Sequence, residues 1–324
     1  MVEIARQGTT SPGAGGANAG LLPMSVVATA QGALAMAFVG GSVAVSALLH
    51  DAPMHTAQAA RYAVACLLLV CWARLRGIDV RRPVRREWTW LVGVAATGLV
   101  LFNIALVEGS AHAEPAVLAV AVASVPIALS VLGPLLERTR PTTRMLIAAG
   151  VVTAGAAIVQ GFGRTDATGL LWAVLVLACE AGFTLLAVPV LGRHGPMGVS
   201  IWTTAIAAIA FAALGVSLEG PTAVLRLTTP HLLATVFLAV AVTAVAFVLW
   251  YGAVHRLGSA RAGLLTGVAP ISAALVAAAL SSHLPAPAVW LGIALVACGL
   301  GFGLSRTSTR PPGPDLDHTQ APRS

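Results

Sequence analysis

Residues 111–159 read AHAEPAVLAVAVASVPIALSVLGPLLERTRPTTRMLIAAGVVTAGAAIV. They describe an apolar helix broken near its middle by Pro126, a basic corner at Glu137-Arg138-Thr139-Arg140-Pro141, and a second apolar helix carrying Gly150 and Gly155. Much the same pattern returns from His255 to Gly303. An offset of 144 places Pro126 on Pro270, Ile127 on Ile271, Leu136 on Leu280, Pro141 on Pro285, Val152 on Val296 and Gly155 on Gly299. Few identities fall on this overlay, but they include two prolines and a glycine at common spacing on superimposable hydropathy. A duplicated membrane helix hairpin is the economical reading.

Working outward, the whole chain shares this character. It has 57% hydrophobic residues and 10% charged residues, with a mean hydropathy of +0.88, against roughly 25% charged in soluble domains. The chain therefore reads as an all-α integral membrane protein whose first partner is the lipid bilayer. The net charge of +7 sets 19 arginines, with no lysine, against 12 acidic residues. Lying mostly in short loops, the arginines suit anionic headgroups rather than nucleic acid. Cys66, Cys71, Cys179 and Cys298 all sit inside apolar runs and act there as small hydrophobes. Neither a disulfide, a metal site nor a cofactor is implied.

Ten apolar runs are long enough to cross about 30 Å of hydrocarbon at about 1.5 Å per residue. They lie at 26–49, 56–73, 87–107, 111–136, 142–161, 168–191, 199–218, 231–254, 260–282 and 286–304. The organisation expected is a cytoplasmic tail over 1–25, one five-helix repeat over 26–161, a second over 168–304 and a cytoplasmic tail over 305–324. The composition of both tails reads as disorder. With the N-terminus inside, sixteen arginines fall on the cytoplasmic side and only Arg61, Arg164 and Arg226 fall outside. That asymmetry follows the positive-inside rule and places both termini in the cytoplasm of a cell-membrane protein. Five is odd, so the second repeat enters the membrane with opposite polarity. Two inverted five-helix repeats are the construction that exposes one central site alternately to either side.

The stretch 111–161 also resembles a known family. Pro126, the helix end Leu135-Leu136-Glu137-Arg138, Arg144 and the glycines from Gly150 to Gly155 look like the proline, the "ER" helix end and the Gly-rich helix of EamA-type repeats in the drug/metabolite transporter superfamily. The second copy departs from the pattern where Ser281 and Ser282 replace the acidic-basic pair. By hydropathy the likeness spans 26–304. It implies a ten-span secondary transporter of a small metabolite or drug-like solute, an exporter rather than an importer, and no enzyme.

Several residues are candidates for the solute or ion pathway. Glu180, in Ala178-Cys179-Glu180-Ala181-Gly182, is the only acid near the centre of an expected span. An ionised carboxylate there costs about 2.5–3.5 kcal/mol. It is either a proton-titrating or cation-binding group in a cavity, or a protonated or hydrogen-bonded link between two helices. Pro126 and Pro270 free the carbonyls of Val122 and Thr266, which either face the path or simply accompany a packing kink. Asn103, Gln31, Gln160 and Trp202 are further candidates for the lining. Trp250 and Tyr251 fit interface anchors better. Glu108, His112 and Glu114 gather where the third span hands over to the fourth, with Arg61 near the outer start of the second. They suggest an outer gate, or else solvated helix ends, with Glu114-Pro115 opening a helix. Gly150 with Ala154, and Gly299 with Gly303, are spaced for close approach of the fifth and tenth helices, a surface that a homodimer would also use. A channel or scaffold would share this hydropathy without needing an inverted repeat. A membrane-embedded enzyme would need a catalytic constellation that the sequence does not display.

Overall fold

The computed structural model describes residues 24–282 and 284–305. The expected tails over 1–25 and 305–324 lie outside these, apart from Met24, Ser25 and Ser305. Among the described residues, ten helices are long and apolar enough to span a membrane: α1 (Met24–Leu49), α2 (Met54–Leu75), α3 (Arg85–Ser110), α4 (Pro115–Leu136), α5 (Thr143–Gln160), α6 (Ala167–Leu185), α7 (Val188–Glu219), α8 (Thr229–Leu257), α9 (Ser259–Ser281) and α10 (Pro287–Leu304). Among the described residues the one β feature is an isolated bridge between Ala113 and Thr165. Helices dominate because a span in hydrocarbon must satisfy its own backbone groups.

Local chemistry sets the ends. Asp166 caps α6 through the Gly169 amide at 2.7 Å, and Pro115 and Pro287 occupy first-turn positions where their missing N–H costs nothing. Gly258 alone joins α8 to α9, at φ +80°. The sixth and seventh spans are drawn differently from the sequence reading. α6 stops at Leu185, and helical backbone resumes at Val188 until a kink at Gly195, where φ is +63°. The expected loop over 192–198 is thus this kink, formed by a glycine at positive φ followed by Pro196, which then opens the rest of α7.

Both proline helices break just before their proline. α4 consists of Pro115–Ala123 and Val125–Leu136 around Ser124. α9 consists of Ser259–Leu264, a tight 3₁₀ turn over Leu265–Gly267, and Val268–Ser281. α3 and α8 each carry a π-helical stretch, Ala95–Leu101 and Leu238–Val245, which the 144 offset overlays within one residue.

The pairings of the helices have the same regularity. α1 packs on α8 and α9, as α6 packs on α3 and α4, while α2 lies along α7, α4 against α9 and α5 along α10. Exchanging every helix with the one five places along maps these pairings onto themselves. At α5–α10 a Cβ on Gly155 would lie 2.7 Å from the Gly292 carbonyl, and one on Gly299 would lie 2.7 Å from a Val152 methyl. The Gly299–Gly303 spacing does serve this approach, since both are buried and a Cβ on Gly303 would lie 2.9 Å from the Ala148 Cβ of α5. Gly150 has nothing within 4 Å of its Cβ position and Ala154 is exposed. Both lie on the open face of α5, because the contact stripe follows Val152, Gly155 and Val159.

Candidate functional site

A cavity of about 120 Å³ lies where α1, α2, α3, α4, α6 and α8 converge. That is the liquid volume of about four waters. From the first half α3 contributes Gly98, Phe102 and Asn103, and from the second α8 contributes Val242, Ala246 and Phe247. These are three pairs at the 144 offset, and Met36 of α1 with Glu180 of α6, and Val39 with Phe183, make two more. In α3 and α8 the shared placement goes with the matching π-helical stretches, since a wider turn re-aims the side chains in and just after it.

One wall is polar. Gln58 donates to Asn103 Oδ1 at 2.8 Å, and Asn103 donates to the Tyr62 hydroxyl at 3.0 Å and the Leu99 carbonyl at 2.6 Å. Arg61 donates through Nε to Thr243 Oγ1 at 2.8 Å and stands over the Tyr62 ring at 5.3 Å. The Tyr62 ring stacks on Phe211 at 5.8 Å. The facing wall is aromatic, with Phe183 against Phe247 at 4.9 Å and Trp250 also in the lining. Glu180 lies in this wall, and its carboxylate has no hydrogen bond or ion pair with any other described residue. The cavity therefore presents one guanidinium and one carboxylate with no protein counter-charge on the latter. It can receive a small solute bearing opposite charges, with aromatic surface for an apolar body.

Of the residues singled out from sequence, Glu180, Asn103 and Arg61 come together here. Arg61 is separated from the outer cluster with which the sequence grouped it. Glu108 is exposed at the end of α3. Glu114 pairs with Arg164 at 2.9 Å, which together with the Arg164 backbone holds its carboxyl below the ordinary value, and His112 meets Asp166 at 3.1 Å. With the Ala113–Thr165 bridge these contacts clasp the α3–α4 loop to the α5–α6 loop. Pro126 and Pro270 are both buried. Val122, one turn before Pro126, lines the cavity, while Thr266 is buried and donates to the Gly263 carbonyl. Gln31 lies outside the lining and accepts from Arg256 at 3.3 Å. Gln160 ends α5, and Trp202 donates to the Arg81 carbonyl at 3.1 Å.

Trp250 and Tyr251 correct the sequence reading. They are 2% and 0% exposed, Trp250 donates to Thr184 Oγ1 at 3.1 Å and Tyr251 to the Phe183 carbonyl at 3.3 Å. α8 runs several residues further than its hydropathy suggests, so its aromatic pair lies inside the bundle. The sequence reading also missed Met36, Tyr62, Phe102 and Phe247. Applying the 144 offset to Glu180 and Asn103 points to Met36 and Phe247; Tyr62 has no such signal.

Comparison with known proteins bears on the same regions. The sequence profile of the EamA-like transporter family matches residues 28–160 and again residues 167–304. An uncharacterized transporter, YetK, of Bacillus subtilis is 24% identical over 278 residues, covering 83% of this chain and 84% of that one. A probable terminal-alkyne amino-acid exporter of Streptantibioticus cattleyicolor is 27% identical over 239 residues, covering 72% and 78%. A solved crystal structure shares the fold with a TM-score of 0.71 at 18% identity, over 85% of this chain and 96% of that one.

Proposed function

Because the chain belongs to the EamA-like transporter family, we propose that it exports a small solute of amino-acid type by alternating access, with Glu180 as the group whose protonation is exchanged for solute. The observation that carries this is the single cavity holding Arg61 and an unpaired Glu180 between two sets of repeat-equivalent residues. Arg61 would take the carboxylate of the solute and Glu180 its ammonium group or a proton, each charge offsetting the desolvation of the other. The amino-acid exporter among the relatives supports the substrate class.

The same reading takes 26–161 and 168–304 as units inserted with opposite polarity, both termini facing the cytoplasm of the cell membrane. Its support is the odd number of helices per unit, the self-mapping set of helix pairings and the arginine distribution. Arg193, Arg256 and Arg261 flank the helix ends on the side assigned as cytoplasmic.

The test is uptake of labelled amino acids into inverted vesicles under an imposed proton gradient. The parent should accumulate at least one of them against its gradient. Glu180→Gln should fold normally and lose the proton-driven component, and Glu180→Asp should keep part of it. Equal gradient-driven uptake by the Gln variant rules out coupling at Glu180, and uptake that only ever runs downhill marks a channel.

A further inference from the structure

Beyond the cavity, two acid–histidine pairs cross between the halves, and the repeat offset relates them. Near the start of α3, Glu87 receives the ring N–H of His194 at 3.0 Å and Arg193 at 2.8 Å. Near the start of α8, His231 meets Asp51 at 3.0 Å. Glu87 and His231 are 144 positions apart, as are His194 and His50, the neighbour of Asp51. Their local structure agrees as well. Each is the third residue of its helix and accepts the amide of its own N-cap residue, Val84 for Glu87 at 2.9 Å and Thr228 for His231 at 3.3 Å. Each reaches the hairpin between the first two helices of the other half.

We infer that Glu87–His194 and His231–Asp51 are the two latches that close opposite ends of the central cavity, each holding the third helix of one half to the first hairpin of the other. The inference rests on the alternating-access reading. By the arginine distribution the Glu87 latch is cytoplasmic and the His231 latch external.

The position along the helices fits. Glu87 precedes the cavity residue Gly98 by eleven positions and His231 precedes Val242 by the same eleven, which is roughly 16 Å of helix. Both latches are thus equally remote from the solute, at opposite ends. Their chemistry is exchanged, with the carboxylate on α3 at one end and the imidazole on α8 at the other. Because Nδ1 of His231 accepts from Thr228, its Nε2 carries the proton given to Asp51. That hydrogen bond holds the Asp51 carboxyl below its ordinary value. The latches also differ in burial. The His194 and Glu87 side chains are 0% and 16% exposed, whereas Asp51 is 64% exposed. The cytoplasmic latch should therefore be the stronger. Duplication alone would copy the same residues, whereas here acid and histidine have exchanged helices while each copy still spans the interface that must part.

The experiment places a reporter cysteine at Val122, in the cavity, in the full chain with Cys66, Cys71, Cys179 and Cys298 replaced. Labelling by an impermeant thiol reagent is measured from each face, with cysteines at Ser110 and Thr139 marking the external and cytoplasmic sides. Asp51→Asn should raise external over cytoplasmic labelling about threefold, and Glu87→Gln should move the ratio the opposite way by more. The double variant should return towards the parent. Opposite signs support the latches; shifts of the same sign, or none, overturn them. Asp51 is exposed, so Asp51→Asn decides alone if Glu87→Gln fails to insert. A reporter reached from one face only in every variant would remove alternating access, and the latches with it. Labelling from both faces that ignores the variants removes the latches alone.

Discussion

α3 and α8 occupy equivalent places and carry unlike chemistry. Both present residues to the cavity at the same three positions, the first within a π-helical stretch and the other two just after it. Yet α3 offers Asn103 in a hydrogen-bonded network where α8 offers Phe247 in an aromatic cluster. α1 and α6 repeat the contrast, with Met36 opposite Glu180. The backbone is a duplicated scaffold, while the side chains that line the cavity have diverged into a polar wall and an aromatic wall. Under the proposed function, a small solute would be oriented by that asymmetry, while rocking would use the likeness of the two backbones.

That contrast can be broken at its two walls. Asn103→Leu leaves Gln58 and Tyr62 without their shared partner, and should lower the initial rate of vesicle uptake about tenfold. Phe247→Leu removes only aromatic surface and should cost about threefold. Equal losses would mean that the two walls do the same work.

A second comparison lies at the seam between the halves. Gly155→Leu and Gly299→Leu should each destabilise the protein by about 1–3 kcal/mol, because each Cβ position already meets the partner helix. Gly150→Leu, on the open face, should stay within about 0.5 kcal/mol. Thermal unfolding in detergent reads the difference, and similar midpoints for all three would contradict the seam.

The smallest effect belongs to the clasp between the α3–α4 and α5–α6 loops. Chiefly the Gly169 amide, and then His112, hold the Asp166 carboxyl below its ordinary value. The stabilisation this brings is complete above the ordinary carboxyl pKa of about 4 and fades as pH falls through the lower folded value. The parent should therefore melt slightly above Asp166→Asn at about pH 6 and converge with it near pH 3. A constant gap across that range would assign the effect to packing.

The number of spans and the repeat were legible because they rest on features spread over many residues, namely run length and two prolines at one spacing. Glu180 was legible for the opposite reason, as a single charge where hydrocarbon penalises charge. Trp250 and Tyr251 were misread because hydropathy locates helix ends poorly, and the α8–α9 joint is one glycine rather than a loop. The Gly150–Ala154 spacing was misread because small-residue spacing does not say which face of a helix is turned to a neighbour. Tyr62 and the latches were invisible to motif reading, since their partners lie tens to more than a hundred residues away. Only the repeat offset, applied beyond the hairpins that revealed it, links Glu87 to His231.

The contact of Gly155 with Gly292 has a consequence for how the protein is made. α10 leaves the ribosome 144 positions after α5, a delay of about 7 to 29 s at roughly 5–20 residues per second. Throughout that interval the groove along Gly155 faces lipid, and α1 likewise waits for α9, whose Ala269 carbonyl occupies the space beside Gly40. The first five helices can thread the membrane early, but their packing is completed only by the last two to arrive. Translation that stops before α10 therefore leaves a nascent chain with an open groove, recognisable to membrane quality control by the small residues that a finished protein hides.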